Sequence, residues 1–131
     1  MKKYFVMLVS VSFFLIGATV SSSADLTGVW RYTNQSEEGV EVFSQDGEKV
    51  ISVGYHSLNG VPAAVIGQSI GTVKGNVYNR RCKVTRRPNS TWGGASGITY
   101  QDFTISPDGK SIQGTWKNDG GQGIVSMIRI H

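Results

Sequence analysis

The sequence predicts an all-β domain. Its most economical form is a small antiparallel up-and-down barrel of about eight strands, with a two-sheet sandwich as the alternative. Three observations predict it. Apolar and polar residues alternate with a period of two along several stretches, as in Leu26, Gly28, Trp30 and Tyr32 against Thr27, Val29 and Arg31. Turn-forming clusters recur every 10 to 14 residues. No window carries a convincing helical period of apolar residues. About eight strands of this length close a barrel whose interior is filled by side chains or holds one small ligand.

Ahead of the strands lies a leader. Lys2 and Lys3 form a positive start, Tyr4–Ala18 is an apolar run, and Ser22-Ser23-Ala24 offers the small side chains that a signal peptidase reads. These features predict a signal peptide over residues 1–24 and a single domain over 25–131. The apolar run is short for a bilayer span, which needs about 20 residues. A periplasmic or secreted protein with no transmembrane segment after cleavage is therefore expected. Without Lys2 and Lys3 the domain holds 11 basic and 9 acidic residues, a net charge of +2. Cys82 is the only cysteine. No disulfide within the chain is possible, so stability rests on the core.

Taken in order, Asp25–Tyr32 is the first strand and Asn34–Gly39 a polar loop. Val40–Gln45 follows, with Asp46-Gly47 as a hairpin turn. Val50–His56 returns, and Asn59-Gly60 turns again. Ala63–Val73 is extended but interrupted by Gly67 and Gly71, which predicts a bulge or sharp bend there. Gly75 leads into Asn76–Arg87, and residues 88–97 form a loop. Ile98–Ser106, Lys110–Lys117 and Ile124–Ile130 make a closing meander. In its first turn Pro107 sets φ, Asp108 bonds the backbone and Gly109 accepts φ > 0. In the middle strand Ile112, Gly114 and Trp116 share one face.

Two short motifs resemble known barrels. Gly28-Val29-Trp30 resembles the Gly-x-Trp signature that opens lipocalins and related calycins, and Arg129 sits where such proteins pack a basic residue over that Trp. Gly114-Thr115-Trp116 is similar to the Gly-Thr-Trp repeats of avidin-like barrels. The resemblance implies a calycin-like barrel over the whole mature chain. It departs from the pattern in length, in lacking a central Thr-Asp pair, and in offering no match to the polar ligands of a biotin site.

The most unusual local feature is charge. Lys74, Arg80, Arg81, Lys83, Arg86 and Arg87 lie within 14 residues that hold no acid, while the remainder of the domain is net −4. This stretch suits an anionic partner, such as an acidic glycan or protein, or else a solvated edge strand protected by charge. Alternation puts Tyr78, Arg80, Cys82, Val84 and Arg86 on one face. That face is the more apolar and is expected to point inward, making Cys82 an inert core residue. An inward Arg80 needs a partner, with Glu41, Asp102 or a ligand carboxylate as candidates.

Trp30, Tyr32 and Trp116 lie on apolar faces and serve as core or as pocket walls. Trp92 sits in a loop of small polar residues, as a lid, a plug or a partner contact. With one histidine, His56, before the terminal His131, no histidine-rich metal site is available. No nucleophile elbow or phosphate loop appears either, and no cofactor is implied.

Two uses of the barrel follow. In the first, a non-enzymatic binding protein holds a small apolar or amphipathic molecule among Trp30, Tyr32, Tyr78, Arg80 and Trp116. In the second, an inhibitor, immunity-type or lectin module meets its partner through Arg81, Lys83, Arg87 and Trp92. Nucleic acid is not an expected partner, and catalysis is not expected.

Overall fold

In the computed structural model, residues 23–86 and 97–131 are described, and they build one closed barrel. Its strands are β1 (Gly28–Asn34), β2 (Glu37–Asp46), β3 (Lys49–Leu58), β4 (Val61–Lys74), β5 (Val77–Arg86), β6 (Gly97–Ile105), β7 (Ser111–Asn118) and β8 (Gly121–Arg129). Each pairs antiparallel with its neighbours in sequence, and β1 pairs with β8 to close the ring. Closure removes the unpaired edges of an open sheet. The sandwich alternative is therefore set aside.

The turns follow their residue chemistry. Asn59 and Gly60 both take positive φ, 48° and 80°, the backbone of a two-residue hairpin that matches strand twist. Asp108 Oδ1 accepts from the Lys110 backbone N–H at 3.0 Å, and Gly109 has φ 68°. The expected loop over Asn34–Gly39 is shorter than the sequence suggests. Asn34 Oδ1 accepts from the backbone N–H groups of Ser36 and Glu37, at 2.9 and 2.8 Å, so two residues complete the turn. Pairing of Glu37 with Leu58 then draws the polar segment into β2.

The bulge also lies elsewhere than expected. The β3–β4 register shifts between His56 and Leu58, where residues 62–64 of β4 face Ser57 alone. Pro62 lacks the N–H that a regular ladder requires there. At Gly67 and Gly71 the ladder runs on without a break. A Cβ at Gly71 would lie 2.6 Å from Tyr78 Cε2 and 2.7 Å from Arg80 Cβ, so this glycine clears space for two large inward side chains.

One end of the barrel is filled. Leu26, Trp30, Phe43, Tyr78, Phe103 and Ile112 belong to a buried apolar cluster there. Trp30 Nε1–H donates to the Leu26 carbonyl at 2.9 Å, which satisfies the indole inside the core. The Arg129 guanidinium lies 4.9 Å from the Trp30 ring centroid and also donates to the Asp25 carbonyl. Outside, β2, β3 and β4 present Val40, Val42, Ile51, Val53, Tyr55, Ile66 and Ile70 to solvent. The outer faces of β5 to β7 are more polar, with Arg81, Lys83 and Lys117 among them.

Candidate functional site

Above the apolar cluster the interior turns polar. Arg80 on β5 and Glu41 on β2 meet inside the barrel, where both are almost fully buried. Arg80 Nη1 donates to Glu41 Oε2 at 2.5 Å, and Nη2 donates to Oε1 at 3.0 Å, a two-pronged pair. Nε–H donates to Gln101 Oε1 at 2.6 Å, and Nη1 reaches the hydroxyls of Ser52 and Ser69 at 3.0 and 3.3 Å. The guanidinium also lies over the Phe103 ring, 5.4 Å from its centroid. Burial opposes the Glu41 charge, but the adjacent Arg80 outweighs it and holds the carboxyl at about 2. Asp102, the other candidate partner, faces outward and accepts from Asn79 Nδ2 at 2.5 Å.

This layer determines which face of β2 and β3 points inward. Glu41, Ser52 and His56 are inside, while Val40, Val42, Ile51 and Val53 are outside. Space decides it. A Cβ at Gly54 would lie 2.5 Å from Glu41 Cγ and 2.8 Å from His56 Nε2, so only the glycine face of β3 admits both side chains.

His56 stacks on Tyr32 with ring centroids 4.2 Å apart. Its Nδ1 lies 3.3 Å from Glu37 Oε2 as a hydrogen bond. Its Nε2 lies 3.3 Å from Glu41 Oε1, within ion-pair range but without hydrogen-bond alignment. Burial disfavours the imidazolium, yet the two carboxylates prevail and the histidine pKa is raised. The Tyr32 hydroxyl accepts from Asn34 Nδ2 at 3.0 Å and from Gln101 Nε2 at 3.3 Å. Burial pushes its own pKa upward, so it keeps its proton.

Next to these groups lies a cavity of about 630 Å³ at the end of the barrel where β1 leaves and β2 enters. Tyr32, Glu41, His56, Arg80 and Gln101 give it a polar lining. Leu58, Val65, Val84, Ile98 and Trp116 give it apolar walls. Arg86 and Asn118 also line it, close to the strand ends. The Trp116 indole lies over Gly123, where a Cβ would come within 2.6 Å of Nε1. The buried nitrogens His56 Nε2, Arg86 Nε and Trp116 Nε1 have no hydrogen-bond partner among the described residues.

The structure thus brings Tyr32, Arg80 and Trp116 to one cavity. Trp30 and Tyr78 sit in the apolar cluster on the far side of the ion pair. Arg81 and Lys83 are exposed on the outer wall, whereas Arg87 and Trp92 lie outside the described residues. Cys82 is buried and lines the cavity, and burial pushes its thiol up to about 11, which disfavours the reactive thiolate. Sequence reasoning missed His56, Glu37 and Gln101. Arg86 was within reach, because strand alternation already places it on the inward face of β5. Among the described residues, no group of three His, Cys, Asp or Glu side chains is arranged to hold a metal ion. No helix among them is long and apolar enough to cross a membrane.

The fold and site define a class: a closed, eight-stranded up-and-down barrel with a polar-floored cavity at one end. No family model matches the chain, and no curated protein matches it. Among solved structures, it is similar to a redesigned β barrel, mFAP1, bound to DFHBI. The TM-score is 0.55 at 16% identity, covering 79% of this chain and 94% of that one. At that identity the likeness speaks to fold alone.

Proposed function

We propose that this protein is a periplasmic or secreted, non-enzymatic binding protein that holds a small amphipathic molecule inside the barrel. The cavity carries the reading. Its volume of about 630 Å³ suits a small ligand. Apolar walls offer burial for a hydrocarbon or aromatic body, and the Arg80–Glu41–His56 floor offers polar contacts for orientation. A similar barrel, mFAP1, holds the small molecule DFHBI. His56 faces two carboxylates and a tyrosine ring rather than a nucleophile, which favours binding over catalysis.

Export rests on the Lys2-Lys3 start, the apolar run after it and the Ser22-Ser23-Ala24 cleavage signal. The mature protein should therefore begin at Asp25, and an intact-mass measurement of the exported form checks this. Binding is tested by titrating amphipathic probes while following intrinsic tryptophan fluorescence. Trp116 lines the cavity and Trp30 does not, so Trp116→Phe should remove most of the signal change and Trp30→Phe should not. In a Trp92→Phe background, which removes the third tryptophan, a response that survives Trp116→Phe unchanged would put the ligand elsewhere.

A further inference from the structure

Arg86 is the feature the binding reading leaves unexplained. It lines the cavity on β5, and its Nε–H is buried with no acceptor among the described residues. It also has no ion-pair partner. The pairs that form join Arg80 to Glu41 and His56 to Glu37 and Glu41. This absence is complete for side-chain carboxylates, because all nine acidic residues of the chain lie within the described segments. Residues 1–22 and 87–96 contain neither Asp nor Glu. Arg86 is half-buried as a whole, so part of its charge stays hydrated, but its buried Nε–H is a donor that a ligand oxygen would satisfy. Arg80, six residues earlier on the same face, shows the usual answer: its charge is met by Glu41 and by three neutral acceptors.

Other donors in the cavity lack acceptors too. Trp116 Nε1–H has none among the described residues. The Tyr32 hydroxyl receives two hydrogen bonds, so its own O–H remains to be given, and no acceptor takes it among the described residues. Backbone register relates the apolar wall to Arg86. His56 pairs with Val65, and Val65 pairs with Arg86. The buried Val65 side chain therefore stands between the histidine and the arginine, with Arg86 and His56 about 10 Å apart across two strand spacings. A ligand body lying against Val65, Leu58 and Val84 would bring its head group to Arg86.

The geometry points to an acidic amphiphile as the ligand: a carboxylate held by Arg86, with an apolar body against Val65, Leu58 and Val84. This inference rests on the binding reading above. Arg86 carries the acid preference, and Trp116 Nε1–H and Tyr32 O–H are neutral donors for further oxygens on the ligand.

The test is isothermal titration of the mature protein with decanoate and with decanol, which share a chain and differ in the charged head. Decanoate should bind about tenfold tighter or more, the range of a charge-assisted hydrogen bond. In Arg86→Met the two affinities should converge to within about twofold, with Arg86→Gln as a second variant should the first fail to fold. Arg81→Met removes an exposed cation from the same strand and should leave the preference intact. Equal binding of both probes to the unaltered protein would overturn the acid preference while leaving the cavity reading standing. A preference that persists in Arg86→Met, or vanishes in Arg81→Met, would overturn the role of Arg86. Binding of neither probe would overturn both readings.

Discussion

Removing the Glu41 carboxylate while keeping Arg80 should be among the most damaging single changes in the barrel. In Glu41→Leu the Arg80 guanidinium loses two of its five hydrogen bonds and its only counter-charge. It is only about 4% exposed, so little water reaches the charge left behind. Breaking a buried pair from one side typically costs about 3–5 kcal/mol. A domain of this size holds about 5–15 kcal/mol in total and loses about 4–8 °C of Tm per kcal/mol. A fall in Tm on the order of 15–30 °C is expected. The double variant Glu41→Leu/Arg80→Met removes both charges. What remains is Gln101, whose Oε1 loses the Nε–H donor, a deficit of about 1–3 kcal/mol. Ser52 and Ser69 still hydrogen-bond each other at 2.5 Å. The double variant should therefore be more stable than Glu41→Leu alone. Urea unfolding of the wild type, both single variants and the double gives the coupling directly. A cost below about 1 kcal/mol for Glu41→Leu, or a double variant less stable than that single, would refute the buried pair as the structural floor of the cavity.

Three more outcomes follow from the same contacts. Stability should peak between about pH 4.5 and 6.5: the raised His56 pKa lends stability below its ordinary 6.5 that is lost as pH rises through the raised value, and Glu41, held at about 2, lends stability above its ordinary 4.5 that is lost as pH falls toward 2. Thermal melts across pH read both arms, and His56→Gln should flatten the alkaline one. Gly71→Ala should cost about 1–3 kcal/mol by overpacking against Tyr78 and Arg80, and a neutral result in chemical denaturation would contradict the close packing there. Arg129→Ala should cost about 0.5–2 kcal/mol by removing the cation over Trp30; an unchanged melting curve would show that contact to be energetically idle.

Much of the barrel was legible from strand parity alone. On β5 the face carrying Tyr78, Arg80 and Cys82 is inward, and on β7 so is the face carrying Ile112 and Trp116. Parity worked there because the two faces differ clearly in polarity. On β2 and β3 it gives no answer, since Val40 and Val42 compete with Glu41 and Phe43. The choice is made by a partner far away in sequence, Arg80, and by the room at Gly54. The site was half legible for the same reason. Tyr32 and Arg80 follow from the parity of their own strands. His56 and Glu37 become site residues only through the β2–β3 register, which no local pattern encodes. The glycines Gly67 and Gly71 predict a bulge in β4, because glycine interrupts a strand pattern. Here those glycines make space instead, and the irregularity falls at Pro62.

Native mass spectrometry of the mature protein, purified gently from its own source, tests the central claim most directly. One small molecule is expected bound at unit stoichiometry, displaced by an added amphipathic acid. A protein that arrives empty, and stays empty when such acids are added, would contradict it.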